Sequence, residues 1–116
     1  MTKTKPGFTI RMTIERPPAE VEAFIRDLNN LRKWASGIDA GAKVWFVEAN
    51  PFGVVDHNVI IGDLQVYVPM RAFPNEAATE VLITLFRRPE QDDAEFAQDT
   101  LVARRDLETL KKLLEQ

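Results

Sequence analysis

Residues 92–116 read DDAEFAQDTLVARRDLETLKKLLEQ, and the spacing of their apolar side chains decides the fold. Asp92-Asp93-Ala94-Glu95 has the form of a capping box, with Asp rather than Ser or Thr at the cap. Phe96, Ala103, Leu107, Leu110 and Leu114 then recur at helical spacing, with Thr100 filling the gap. Glu95, Arg104, Arg105, Glu108, Lys111 and Lys112 fall mostly off that stripe. This predicts one amphipathic helix of about six turns, long beside a mean of ~11–12 residues. Its single stripe must cover something, and the only large apolar surface elsewhere in the chain is a sheet.

The sheet is read from period-two segments. Phe8–Arg16 alternates, with Phe8, Ile10, Met12 and Ile14 on one face. Pro17 and Pro18 end this strand, and a proline suits the first turn of a helix. Val21, Phe24, Ile25 and Leu28 follow at i, i+3, i+4 and i+7. Asn29-Asn30 interrupts, a second helical turn carries Leu31 and Trp34 inward, and Gly37 closes it. Four more strands are expected at Lys43–Glu48, Val54–Ile61, Leu64–Phe73 and Glu80–Arg87. Asn50-Pro51, Gly62-Asp63 and Pro74-Asn75 mark their turns, with Ile61–Leu64 a tight hairpin. Links this short join antiparallel neighbours. The expected class is α+β, one domain over residues 1–116.

Composition narrows function. The net charge is −3, which gives no electrostatic pull towards nucleic acid or an anionic membrane. There is no cysteine, so disulfides, thiol catalysis and cysteine-held zinc are excluded, and a reducing cytoplasm is the expected compartment. The N-terminal MTKTKPG has no apolar signal region, and no run approaches the ~20 apolar residues of a membrane span. One histidine and no distinctive carboxylate spacing support neither a metal site nor a bound cofactor.

Beside this reading stands a resemblance. PAEVEAFIRDLNNLRKWASG, residues 18–37, is similar to the recurrent segment of the START-like (SRPBCC, polyketide cyclase/dehydrase-like) superfamily, with Asp27, Leu31 and Trp34 matching the pattern. VPMRAFPNEAATEVLITLFRRP and the closing DLETLKKLLEQ resemble other short members. The likeness implies a helix-grip fold: a curved antiparallel sheet wrapped around the long C-terminal helix, two short helices after the first strand, and an apolar cavity between sheet and helix. It also implies binding of hydrophobic small molecules, some members being cyclases, aromatases or dehydratases. These are packing motifs, specific for fold and weak for chemistry. The small number of strands puts a large ligand in doubt.

The candidate chemistry centres on Asp56-His57. Neighbours in a strand leave opposite faces, so they form no side-by-side dyad. His57 shares a face with Val55, Val59 and Ile61, which points it inward and Asp56 outward. His57 is then either a cavity base or donor, or a core histidine satisfied by a carbonyl. Arg71 points outward with Tyr67, towards an ion pair with Asp56 or Glu80. Trp34 either lines the cavity or anchors the short helix; the direction of Trp45 is not readable. The ligand-binding set expected on this basis is Trp34, Phe46, His57, Met70, Phe86 and Phe96, although for Met70, Phe86 and Phe96 a core position is the more natural reading. His57 is the one candidate catalytic residue. The leading reading is a binder of a small hydrophobic or aromatic molecule. The alternatives are a cyclase/dehydratase-like enzyme using His57, and a homodimerising or partner-binding module that uses outward Tyr67 and Phe73.

Overall fold

The computed structural model describes residues 2–38 and 41–116. Its elements run β1 (Gly7–Ile14), α1 (Pro18–Arg26), α2 (Leu28–Trp34), β2 (Lys43–Phe46), β3 (His57–Ile61), β4 (Leu64–Val68), β5 (Met70–Asn75), β6 (Ala78–Phe86) and α3 (Asp93–Glu115). Two antiparallel sheets form, with strand orders β1-β6-β5 and β2-β3-β4.

Pro69 separates the two sheets and also joins them. The segment expected as one strand, Leu64–Phe73, is two: β4 pairs with β3, and β5 pairs with β6. A proline has no N–H to give a ladder, so regular pairing stops there. Its carbonyl still accepts from the Thr84 N–H at 3.0 Å. Just before β3, the chain from Gly53 to Val55 pairs with β5 instead: the Val55 N–H donates to the Met70 carbonyl and the Ala72 N–H to the Gly53 carbonyl. The six strands therefore make one curved surface that bends at Pro69.

Two further boundaries differ from the sequence reading. Leu28 is 56% exposed, not inward. The helix that would have carried it inward ends at Asp27, whose side chain accepts from the Asn29 N–H at 2.9 Å and caps α2. The turn placed at Pro74-Asn75 comes later, because β5 continues to Asn75 and Glu76 takes the left-handed conformation at φ 53°. The Gly62-Asp63 turn stands where expected, with Ile61 opposite Leu64.

The helix α3 closes the concave face. Both halves of its capping box are made: Asp92 accepts from the Glu95 N–H at 2.7 Å, and Glu95 accepts from the Asp92 N–H at 3.1 Å. Ala103, Leu107, Leu110 and Leu114 are buried along its stripe. Leu107 and Leu110 meet Ile10 and Ile14 of β1, Val81 of β6 and Val21 and Ile25 of α1 in one core. Three bonds pin the C-terminal end to β1 and its exit. The Arg16 guanidinium donates to the Leu114 carbonyl, the Lys111 ammonium to the Thr13 carbonyl and the Glu15 N–H to Glu115, each at 2.8 Å. A cation on the last carbonyls also suits the negative end of the helix. Packing is thus concentrated under the C-terminal half of α3, which leaves its N-terminal half over the β3–β4 side of the sheet.

Candidate functional site: a cavity under the first half of α3

A cavity of about 220 Å³ lies there. Period-two alternation builds its floor: Val59 and Ile61 from β3, Val66 and Val68 from β4, Ile83 and Leu85 from β6. Trp34 and Leu31 of α2 form one wall, and Asp99, Val102, Ala103 and Asp106 of α3 the other. The walls are apolar, with a few polar groups set among them, as in small-molecule sites.

His57 begins the floor of this cavity and is 5% exposed. Its ring lies 4.9 Å from that of Phe46, tilted by 44°. Nδ1 is 3.1 Å from the Val55 carbonyl. A carbonyl only accepts, so Nδ1 carries the proton of the neutral ring and Nε2 keeps its lone pair. Burial pushes the imidazole below its ordinary value of 6.5, against the opposing pull of the Val55 bond and the Asp56 charge. The ring is therefore a neutral hydrogen-bond acceptor at neutral pH.

Asp56 is not its partner. On the opposite face its carboxylate accepts from the Tyr67 hydroxyl at 2.6 Å, from the Met70 N–H at 2.8 Å and from the Arg71 guanidinium. Burial raises the pKa of this carboxyl, but the bonds from Tyr67, Met70 and Arg71 outweigh it and hold the group below 3.8. Asp56 clamps the bend at Pro69, taking the backbone donor that a regular ladder would otherwise use.

Trp34 is 4% exposed and its indole Nε1–H has no hydrogen-bond partner among the described residues. At the α3 side, Asp106 accepts from the Ser36 hydroxyl at 2.7 Å, and burial raises its pKa despite that bond. Asp99 accepts from the Gln91 amide at 2.5 Å and lies 3.7 Å from the Arg88 guanidinium.

Of the residues expected from sequence, Trp34 and His57 line this cavity. Phe46 packs against the imidazole. Met70, 1% exposed, is in the core. Phe86 is 41% exposed on the outer face, because Leu85 takes the inward position beside it. Phe96 is half-buried at the start of α3, before the lining begins at Asp99. Trp45 points outward, while Val44 and Phe46 point inward. Asp99 and Asp106 line the cavity as well, beyond the residues expected from sequence. Their spacing of seven, with Val102 and Ala103 between, puts them on one helix face, but only the structure shows that this face meets the cavity. Among the described residues no group of three His, Cys, Asp or Glu side chains could hold a metal ion, and no helix is long and apolar enough to cross a membrane.

No protein-family model matches the chain, and no curated protein matches it in sequence. Solved structures do match. MLL2253 from Mesorhizobium loti superposes with a TM-score of 0.77 at 16% identity, over 95% of this chain and 97% of that one. The Aha1 dimer from Colwellia psychrerythraea gives 0.72 at 17% identity, over 95% of this chain and 96% of that one. DynU16, a protein of the dynemicin biosynthetic locus, gives 0.74 at 16% identity over 95% of this chain. This chain spans about half of DynU16, 47% of its length. The architecture is the helix-grip fold. At such identities the likeness is one of fold, and function has to be argued from the site.

Proposed function

We propose that this chain is a short START-like (SRPBCC) domain that binds a small hydrophobic or aromatic molecule between the sheet and α3. The observation that carries the reading is the apolar cavity of about 220 Å³ with the side chains of Trp34 and His57 on its walls. An apolar cavity of roughly 150 Å³ is enough for benzene, so this volume suits a molecule of one or two rings. Binding is favoured over acid–base catalysis by an Asp–His pair, since the Asp56 oxygens are engaged on the far face.

A thermal-shift screen of small aromatic and apolar metabolites tests this, run on the wild type and on Val66→Trp, which puts an indole into the cavity. Hits should raise the Tm of the wild type and leave that of the variant unchanged. Val102→Phe fills the same space from α3 should Val66→Trp fail to fold. Hits that stabilise the filled variants equally, or no hits at all, contradict the reading.

A further inference from the structure

The strand β2 is an edge: it pairs with β3 on one side and, among the described residues, with no strand on the other. The pairing fixes which of its backbone groups are open. The Val47 N–H donates to the Asp56 carbonyl at 2.9 Å, in register with the pairs Lys43–Ile60 and Trp45–Asn58. In an antiparallel ladder only alternate residues bond a given neighbour, so the backbone groups of Lys43, Trp45 and Val47 are the ones turned to β3. The N–H and C=O groups of Val44 and Phe46 point away from β3 and have no partner among the described residues.

Beside this open edge runs a groove of about 510 Å³ between β2 and α2. Leu28, Leu31, Ile38, Val44 and Trp45 make it apolar, and Leu28 and Trp45 are exposed, Trp45 by 61%. The charged residues on its lining are Arg32 and Lys43, and neither has a carboxylate partner among the described residues. Each feature constrains the occupant separately. Open N–H and C=O groups along an edge suit an extended backbone. Large exposed apolar side chains suit apolar ones on the partner. Two unpaired cations suit carboxylates. A second copy of this chain fits less well, because pairing β2 with β2 brings the same cations together. We infer that β2 is a docking edge for an extended peptide segment of a partner protein, apolar at its centre and acidic at its flanks. The segment adds to β2 as a further strand and sets its carboxylates against Arg32 and Lys43. The inference does not depend on a small molecule in the cavity.

The test is fluorescence anisotropy with a labelled peptide, EEVLVEE, acetylated and amidated at its ends. It should bind saturably and more weakly as salt is raised, because the ion pairs are exposed. The counterpart KKVLVKK should bind at least about 10-fold more weakly. An added strand bonds β2 along one edge only. N-methylating one alternate set of the peptide's amides should therefore weaken binding by about 10-fold or more, and N-methylating the other set should change it little. Arg32→Glu with Lys43→Glu should reverse the preference between the two peptides. Both positions are exposed, so the double variant should keep the wild-type Tm. Phosphatidylserine vesicles should not capture the protein. If KKVLVKK binds the wild type as tightly as EEVLVEE, or both N-methylated sets bind alike, the inference is wrong. It is also overturned if millimolar EEVLVEE does not bind, or if the vesicles capture the protein and the peptide does not compete. None of these outcomes bears on the cavity, which the Val66→Trp comparison tests on its own.

Discussion

Asp56 and Tyr67 are joined by a hydrogen bond of 2.6 Å on the outer face of the sheet, the phenol O–H donating to Oδ2. Oδ1 of the same carboxylate holds the Met70 N–H, beside the proline that bends the sheet. One side chain therefore ties the approach to β3, β4 and β5 together where the ladder is interrupted.

Removing it should be costly. Asp56→Ala leaves a partly buried backbone N–H without an acceptor, at about 1–3 kcal/mol. Tyr67→Phe removes one exposed bond and should cost no more than about 1 kcal/mol. Urea denaturation of both variants measures the difference. The contribution of Asp56 also has a pH signature. Its folded value is depressed, so the contribution is complete above 3.8 and is lost as the pH falls from there through the folded value. Asp56→Asn should flatten that acid limb.

His57 titrates in another window. Its folded value lies below 6.5, so between the two values the unfolded chain binds more protons than the folded one. Stability should therefore rise with pH across that interval and fall as the solution is acidified below 6.5. The chain has a single histidine, so its ring resonances can be assigned without ambiguity. A folded-state NMR midpoint below 6.5 is expected. A midpoint at or above that value contradicts the buried neutral ring.

Gly53 has φ +72°, and a Cβ there would lie 2.0 Å from the Ala72 carbonyl oxygen. That oxygen belongs to backbone and cannot swing aside. Gly53→Ala should cost more than about 2 kcal/mol, from the left-handed conformation together with the collision. It should also disturb the pairing that joins the two sheets, readable as faster amide exchange at Ala72. A loss below about 1 kcal/mol would mean that the loop relaxes.

Leu107 is fully buried where α3 meets β1 and α1. Leu107→Ala should destabilise by about 2–5 kcal/mol. Leu101→Ala, at an exposed position on the same helix, should change stability by less than about 0.5 kcal/mol. Thermal unfolding of the pair checks that the stripe runs as described.

Much of this was legible in residues with a strong period. The α3 stripe and its Asp92–Glu95 box could be read directly, because a long helix repeats its signal several times. Strand alternation separated Asp56 from His57 and put Arg71 on the outer face with Asp56 and Glu80 as candidate partners, of which the structure pairs it with Asp56. The bend at Pro69 was hidden, since Val68 and Met70 keep the same inward sense across it. What changes there is the pairing partner, which is a long-range property. Leu28 misled for the converse reason: its spacing fits α1, but the Asp27 cap starts a new helix before it. Asp99 and Asp106 carry no such signal, because charges on a helix usually face solvent, and only the position of the cavity distinguishes them. Trp34 could be placed at the cavity rim, but that its N–H lacks a partner follows only from the packed structure.

The most direct test of the central claim is the indole N–H resonance of Trp34 during a 2-naphthol titration. The chain has two tryptophans, and Trp45→Phe assigns them. Trp45 points outward, so it serves as the internal control. The account predicts that the Trp34 Nε1–H signal shifts saturably as the aromatic ligand packs against its ring, while that of Trp45 stays in place. A Trp34 signal that does not respond, or a shift confined to Trp45, would contradict it.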